Sequence, residues 1–117
     1  KYYEEIRKIG NPKEAATAGR SKLKPLRKDW NEVDPEGGTV DERRKMLVKD
    51  AVMYRAIKAK FTQHPKLRDL LLSTFPAILV EDSPIDFYWG WGSTKTGQNI
   101  LGRLLMKLRA EFMLEDI

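Results

Sequence analysis

The chain has no cysteine and a single histidine, His64. The first absence excludes disulfide frameworks, thiol nucleophiles and cysteine-held zinc or iron–sulfur sites. The second excludes multi-histidine metal sites and removes most Ser-His-Asp arguments, so no metal and no other cofactor is expected. Long hydrophobic runs are also missing. Stretches such as Leu70–Leu72 and Ala77–Val80 fall far short of the ~20 apolar residues that cross a bilayer as a helix, so no membrane span is expected. No secretory signal pattern opens the sequence, and no repeat or low-complexity tract interrupts it.

What remains suits one domain. The 117 residues are 41% hydrophobic, enough to fill a core, and 33% charged, enough for a well-solvated surface. We expect a cytoplasmic chain. Lys and Arg number 22 against 17 Asp and Glu, a net charge of +5. That excess favours anionic partners such as phosphorylated metabolites or nucleic acid without choosing between them. Its densest stretch is Arg20–Lys28.

Helical spacing dominates the pattern. Tyr2, Tyr3, Ile6 and Ile9 recur on one face before Gly10, and Asn11-Pro12-Lys13-Glu14 reads as the start of a second helix ending near Gly19. A basic loop leads to Trp30, and Asp34-Pro35-Glu36-Gly37-Gly38 is the clearest turn cluster. Thr39 with Glu42 has the form of a capping box opening a long helix over 40–63, with Leu47, Ala51, Tyr54, Ile57 and Phe61 as its stripe. His64-Pro65 starts the next helix and Pro76 ends it. Ala77–Val80 has the length of a strand. A last helix over 98–114 carries Leu101, Leu104, Leu105, Leu108 and Phe112 on one face. The expected fold is mainly α, a compact single helical domain with one or two short strands.

The segment 81–102, EDSPIDFYWGWGSTKTGQNILG, stands apart from these core helices. Two tryptophans flanking one glycine are costly to expose and awkward to bury. Glycines there permit positive φ or close backbone approach. Such a segment suits a flat heterocycle stacked on Trp89 or Trp91, a phosphate on the N–H groups opening the last helix, and carboxylates at a sugar. The plain alternative is a glycine-hinged loop whose tryptophans plug the core. Lys58 and Lys60 near the end of the long helix fit its dipole, and His64 is given no role.

The blocks Gly19-Arg20, Lys24-Pro25-Leu26-Arg27-Lys28-Asp29-Trp30, Lys60-Phe61, Leu79-Val80-Glu81, Asp86-Phe87-Tyr88-Trp89-Gly90-Trp91-Gly92 and Gly97-Gln98-Asn99-Ile100-Leu101-Gly102 follow one another in an order that resembles the YbiA-like, or NADAR, family. The resemblance spans most of the chain and marks 32–44 as a surface insertion. It implies a compact helical fold preceded by an N-terminal portion that supplies a further acidic residue. It also implies N-glycosidase activity on ribosylated bases. Two substrate types follow from it: phosphorylated ribosylamino-pyrimidines of riboflavin synthesis, and ADP-ribose on guanine, including ADP-ribosylated nucleic acid.

Residue by residue, the resemblance implies catalytic roles for Glu81, Asp86 and Asn99. Substrate contacts would come from Arg20, Arg27, Trp30, Lys60, Trp89, Gly90, Gly92 and Gly102. Arg27 and Lys60 suit phosphate, Trp89 the base, and Asn99 a ribose hydroxyl or base edge. A binding module for ADP-ribose, NAD or nucleic acid remains the alternative, and a purely structural interaction module a third. A cleft uniting Glu81, Asp86, Trp89 and Asn99 would favour enzyme or reader; buried tryptophans would favour packing.

Overall fold

The computed structural model describes residues 28–116. Three helices and a small hairpin order the chain as β1 (Thr39–Asp41), β2 (Arg44–Lys45), α1 (Val48–Gln63), α2 (Pro65–Ser73) and α3 (Ile100–Glu115). The expected helical class holds. The two helices expected early in the chain, one before Gly10 and one from Asn11 to Gly19, lie outside the described residues.

α1 begins eight residues later than the Thr39/Glu42 capping pattern predicts. Instead, Thr39–Asp41 pairs antiparallel with Arg44–Lys45, Thr39 opposite Lys45 and Asp41 opposite Arg44, with an irregularity between. Pairing decides the matter: Val40 turns into the core between exposed Thr39 and half-buried Asp41, and the backbone groups around it are taken by the antiparallel partner in place of a helical turn. Backbone bonds continue the pairing, Asp34 N–H to Met46 O at 2.9 Å and Met46 N–H to Gly38 O at 3.0 Å. The helix cap is then built elsewhere. Leu47 N–H donates to Asp50 Oδ2 at 2.8 Å, and the first helical amides, Val48 and Lys49, donate to Glu32 O and Trp30 O at 2.9 and 3.1 Å. Donors that a helix start leaves unpaired are thus taken by the preceding loop.

His64-Pro65 separates α1 from α2 as expected, with Pro65 in the first turn of the new helix. Ala77–Val80, expected as a strand, forms none. Leu79 O is occupied by a side chain, the Asn99 amide. The two short strands of the described residues are those of the 39–45 hairpin.

The core lies between α1 and α3. Ala51, Tyr54, Ile57 and Phe61 from α1 meet Leu101, Leu104, Leu105, Leu108 and Phe112 from α3, closed by Val40, Met46, Leu71, Leu79 and Trp89. Each fully buried Leu or Phe contributes roughly 1.5–3 kcal/mol by leaving water. Arg109 on α3 is buried, and its Nη1 donates to Thr74 Oγ1 at 2.9 Å. That bond ties α3 to the C-terminal end of α2, where a cation is favourably placed.

Candidate functional site

The loop between α2 and α3 is held by its own backbone. Trp91 N–H donates to Glu81 O, Gly92 N–H to Ser83 O and Gly97 N–H to Trp91 O, at 3.1, 3.1 and 2.8 Å. Four successive amides then run into the aromatic stretch: Gln98 to Phe87 O, Asn99 to Gly90 O, Ile100 to Tyr88 O and Leu101 to Trp89 O, at 2.8 to 3.0 Å. The first amides of α3 are therefore consumed. The phosphate seat expected at that helix start is corrected: its donors serve the loop carbonyls.

Asn99 closes the knot. Its Oδ1 accepts from Glu81 N–H at 2.9 Å and its Nδ2 donates to Leu79 O at 3.0 Å. Gly102 makes this possible, since a Cβ there would stand 2.4 Å from Leu79 O and 2.5 Å from Asn99 Oδ1. Gly92 takes φ +73° with the Phe87 ring against it, a conformation that favours glycine.

Asp86 stands where the loop turns. Its Oδ1 accepts two backbone donors, Tyr88 N–H at 3.0 Å and Trp89 N–H at 2.7 Å. Its Oδ2 accepts no hydrogen bond among the described residues, and the residue is half-buried. A carboxylate anchored by one oxygen keeps the other for water or a sugar hydroxyl.

Beside it lies a group of residues that sequence reading passed over. Asp50, fully buried at 0% exposure, accepts from Leu47 N–H and from Arg44 Nη2 at 2.8 and 3.1 Å, and its Oδ1 accepts the Tyr88 hydroxyl proton. Arg44 Nη2 also donates to the Tyr88 hydroxyl at 2.5 Å, and Arg44 Nη1 donates to Gln98 Oε1. Burial, with Asp50 adding to it, pushes the Tyr88 phenol above its ordinary range. Lys49 Nζ stands 3.9 Å from the ring centroid and donates to Asn31 Oδ1 at 2.8 Å. Burial pulls the Lys49 ammonium below its usual value, against the attraction of Asp50 and Asp86. In the sequence Tyr88 stands inside the aromatic block, whereas Asp50 lies within the expected long helix and Arg44 carries no pattern of its own.

Residues 1–113 match the NADAR domain family. The chain belongs to the NADAR family. It is 46% identical over 115 residues to "N-glycosidase YbiA" of Escherichia coli, covering 98% of this chain and 62% of that protein. It is 45% identical over 117 residues to "Riboflavin biosynthesis protein PYRR, chloroplastic" of Arabidopsis thaliana, covering 97% of this chain and 17% of that protein. An N-glycosidase of Nostoc punctiforme is 39% identical over 106 residues, 91% of this chain and 58% of its own length. The NMR structure of E. coli YbiA superposes with a TM-score of 0.64 at 45% identity, covering 98% of this chain and 60% of that one. The chain thus spans about three-fifths of the length of the YbiA proteins it matches.

Within this NADAR chain, the expected site residues divide. Glu81, Asp86, Trp89, Gly90, Gly92, Asn99 and Gly102 meet in one knotted loop. Trp89, however, is only 7% exposed, sits in the core and meets Tyr88 edge-to-face at 4.8 Å. The stacking role expected of it does not fit this burial. The Asn99 amide staples the knot through one acceptor and one donor bond to backbone and keeps one lone pair and one N–H beyond them. Gly90 and Gly102 admit the chain's own backbone. Trp30 is half-buried next to Lys49, whose amide its carbonyl holds. Lys60 lies in the last turn of α1, about 16 Å of helix rise from Lys49, with no carboxylate partner among the described residues. Arg20 and Arg27 lie outside the described residues. No cluster of three or more His, Asp or Glu able to hold a metal occurs among those described, and none of the described helices is long and apolar enough to cross a membrane.

Proposed function

We propose that the chain acts as an N-glycosidase that hydrolyses the C1′–N bond of a phosphorylated ribosyl-base adduct. Membership in a family whose curated relatives are named N-glycosidases supports the reaction class. The observation that carries the reading is Asp86, pinned through Oδ1 by two amides while Oδ2 accepts nothing among the described residues. Breaking a glycosidic C–N bond builds positive charge at C1′. A carboxylate in that position stabilises the charge or takes a proton from the attacking water. The water oxygen bonds to C1′, the C–N electron pair leaves with the base, and the water's proton passes to the carboxylate and on to the departing nitrogen.

The remaining roles follow from charge and exposure. Glu81, half-buried in the same knot, serves as the second carboxylate. Trp30 replaces Trp89 as the stacking face. Lys60, with Arg20 and Arg27 of the basic segment, takes the phosphate or diphosphate. The similarity to a protein named for riboflavin biosynthesis favours a phosphorylated ribosylamino-pyrimidine, with ADP-ribosyl-guanine as the second candidate and ADP-ribosylated nucleic acid as its macromolecular form. A cytoplasmic location fits these substrates. The test is release of free base or aminopyrimidine, followed by liquid chromatography, with each substrate in turn. Hydrolysis of the pyrimidine phosphate is the expected result. Tight binding of ADP-ribose without hydrolysis of either substrate would establish the binding-module alternative instead.

A further inference from the structure

We infer that Tyr88 is a positioning residue for Asp86, its place set by Asp50 of α1 and Arg44 of the hairpin. The inference rests on the hydrolytic reading of Asp86 and adds to it the device that holds that carboxylate. Tyr88 works at both of its ends. Its backbone N–H donates to Asp86 Oδ1 at 3.0 Å. Its hydroxyl donates to Asp50 Oδ1 and accepts from Arg44 Nη2. Asp50 is a fixed post: fully buried, and held by Leu47 N–H, Arg44 and Tyr88 together. The ring between these ends is flanked by Arg44 at 5.2 Å and Lys49 at 3.9 Å. Hydrogen bonds with an ionised partner are roughly twice as strong as neutral ones, so the ring cannot swing without breaking strong contacts.

The oxygen left for chemistry, Asp86 Oδ2, therefore takes its coordinates from a chain of contacts. That chain runs from α1 and the hairpin through the Tyr88 ring to the Tyr88 amide. A phenylalanine would fill the same volume; only the hydroxyl reads Asp50 and Arg44. Arg44 also reaches Gln98, so the hairpin grips both the aromatic stretch and the residue that precedes the α3 cap. Misplacing a reacting group by about 1 Å costs on the order of a hundredfold in rate, so a loosened tyrosine shows in turnover before it shows in folding.

The test uses Tyr88→Phe and Arg44→Gln in the whole chain, with Lys58→Gln as a surface control. With the substrate that the wild type hydrolyses, kcat is expected to fall about tenfold or more in both variants. KM stays near wild type, while the melting midpoint falls modestly in Tyr88→Phe and further in Arg44→Gln, which strands the buried Asp50 carboxylate without its cation, so Tyr88→Phe carries the comparison. A second readout needs no turnover: hydrogen exchange of the Tyr88 and Trp89 amides, which Asp86 holds, is expected to speed up about tenfold while the α3 amides keep their protection. Wild-type kcat in both variants, or unaltered exchange at Tyr88 and Trp89, overturns the inference. If the chain hydrolyses neither substrate, the hydrolytic reading fails, and the exchange measurement still decides whether Tyr88 positions Asp86.

Discussion

Arg103 of α3 holds Asp41 of the hairpin with two parallel hydrogen bonds, Nε to Oδ2 at 2.6 Å and Nη2 to Oδ1 at 3.0 Å. This bidentate pair docks the hairpin onto the core helix. The Arg103 hydrogen bonds are the largest cause holding the Asp41 carboxyl below its ordinary 3.8. A depressed folded-state value means the stabilisation is present above the unfolded pKa and is lost as pH falls through the folded one. Asp41→Asn is therefore expected to lower stability near neutrality by about 1 kcal/mol or less, because the pair is partly exposed to solvent. Thermal melts between about pH 7 and pH 3 should show the gap to wild type closing only at the acid end. A constant gap across that range would mean the pair acts through packing.

Asp86→Asn separates charge from anchoring. The asparagine Oδ1 can accept the same two amide bonds from Tyr88 and Trp89, so the melting midpoint is expected to stay close to wild type. The ionised oxygen is gone, and kcat is expected to drop by about 10² or more with little change in KM. Steady-state kinetics beside a melting curve check both halves. Retained turnover would remove Asp86 from the mechanism.

Trp89 is a packing residue by its burial, and Trp89→Ala is expected to cost roughly 3–5 kcal/mol of stability. Denaturant unfolding measures this directly. Trp30→Ala is the complementary variant: it should stay folded and lose about 1–3 kcal/mol of nucleotide binding, the range for a stacked base. Loss of binding in neither variant would take the aromatic contact elsewhere.

Lys60→Ala and Arg27→Ala are expected to weaken binding of a phosphorylated ligand and leave the free nucleoside almost unchanged. The wild-type affinity should fall as salt rises, because screening shortens the reach of exposed cations. Calorimetric titrations with the phosphorylated and unphosphorylated forms make the comparison. Equal losses for both forms would assign the two residues to folding.

Elements with long, regular apolar spacing were legible in the sequence: the stripe Ala51, Tyr54, Ile57 and Phe61, and the stripe Leu101 to Phe112, are the core that the structure shows, while Leu47, expected with the first stripe, is the half-buried cap of α1. The start of α1 was not, because Thr39 and Glu42 have the right types and spacing for a cap while the deciding fact, Arg103 waiting for Asp41, lies far along the chain. Ala77–Val80 misled for the converse reason. It has the composition of a strand, but Leu79 O is taken by the Asn99 side chain. The knot of residues 81–102 was visible as an oddity of glycine and tryptophan, and Asp86 within it. Tyr88 was visible in the aromatic block, but Arg44 and Asp50 look ordinary alone; only folding brings a hairpin cation, a helix-start carboxylate and that phenol together.

The carbonyls of Tyr88 and Trp89 receive the amides of Ile100 and Leu101, so the loop that carries Asp86 is also the cap of the helix at the centre of the core. Changes to that loop are changes to the foundation. A change there that breaks these backbone bonds loosens α3 as well, whereas a side-chain exchange that keeps them, such as Asp86→Asn, leaves the helix cap in place.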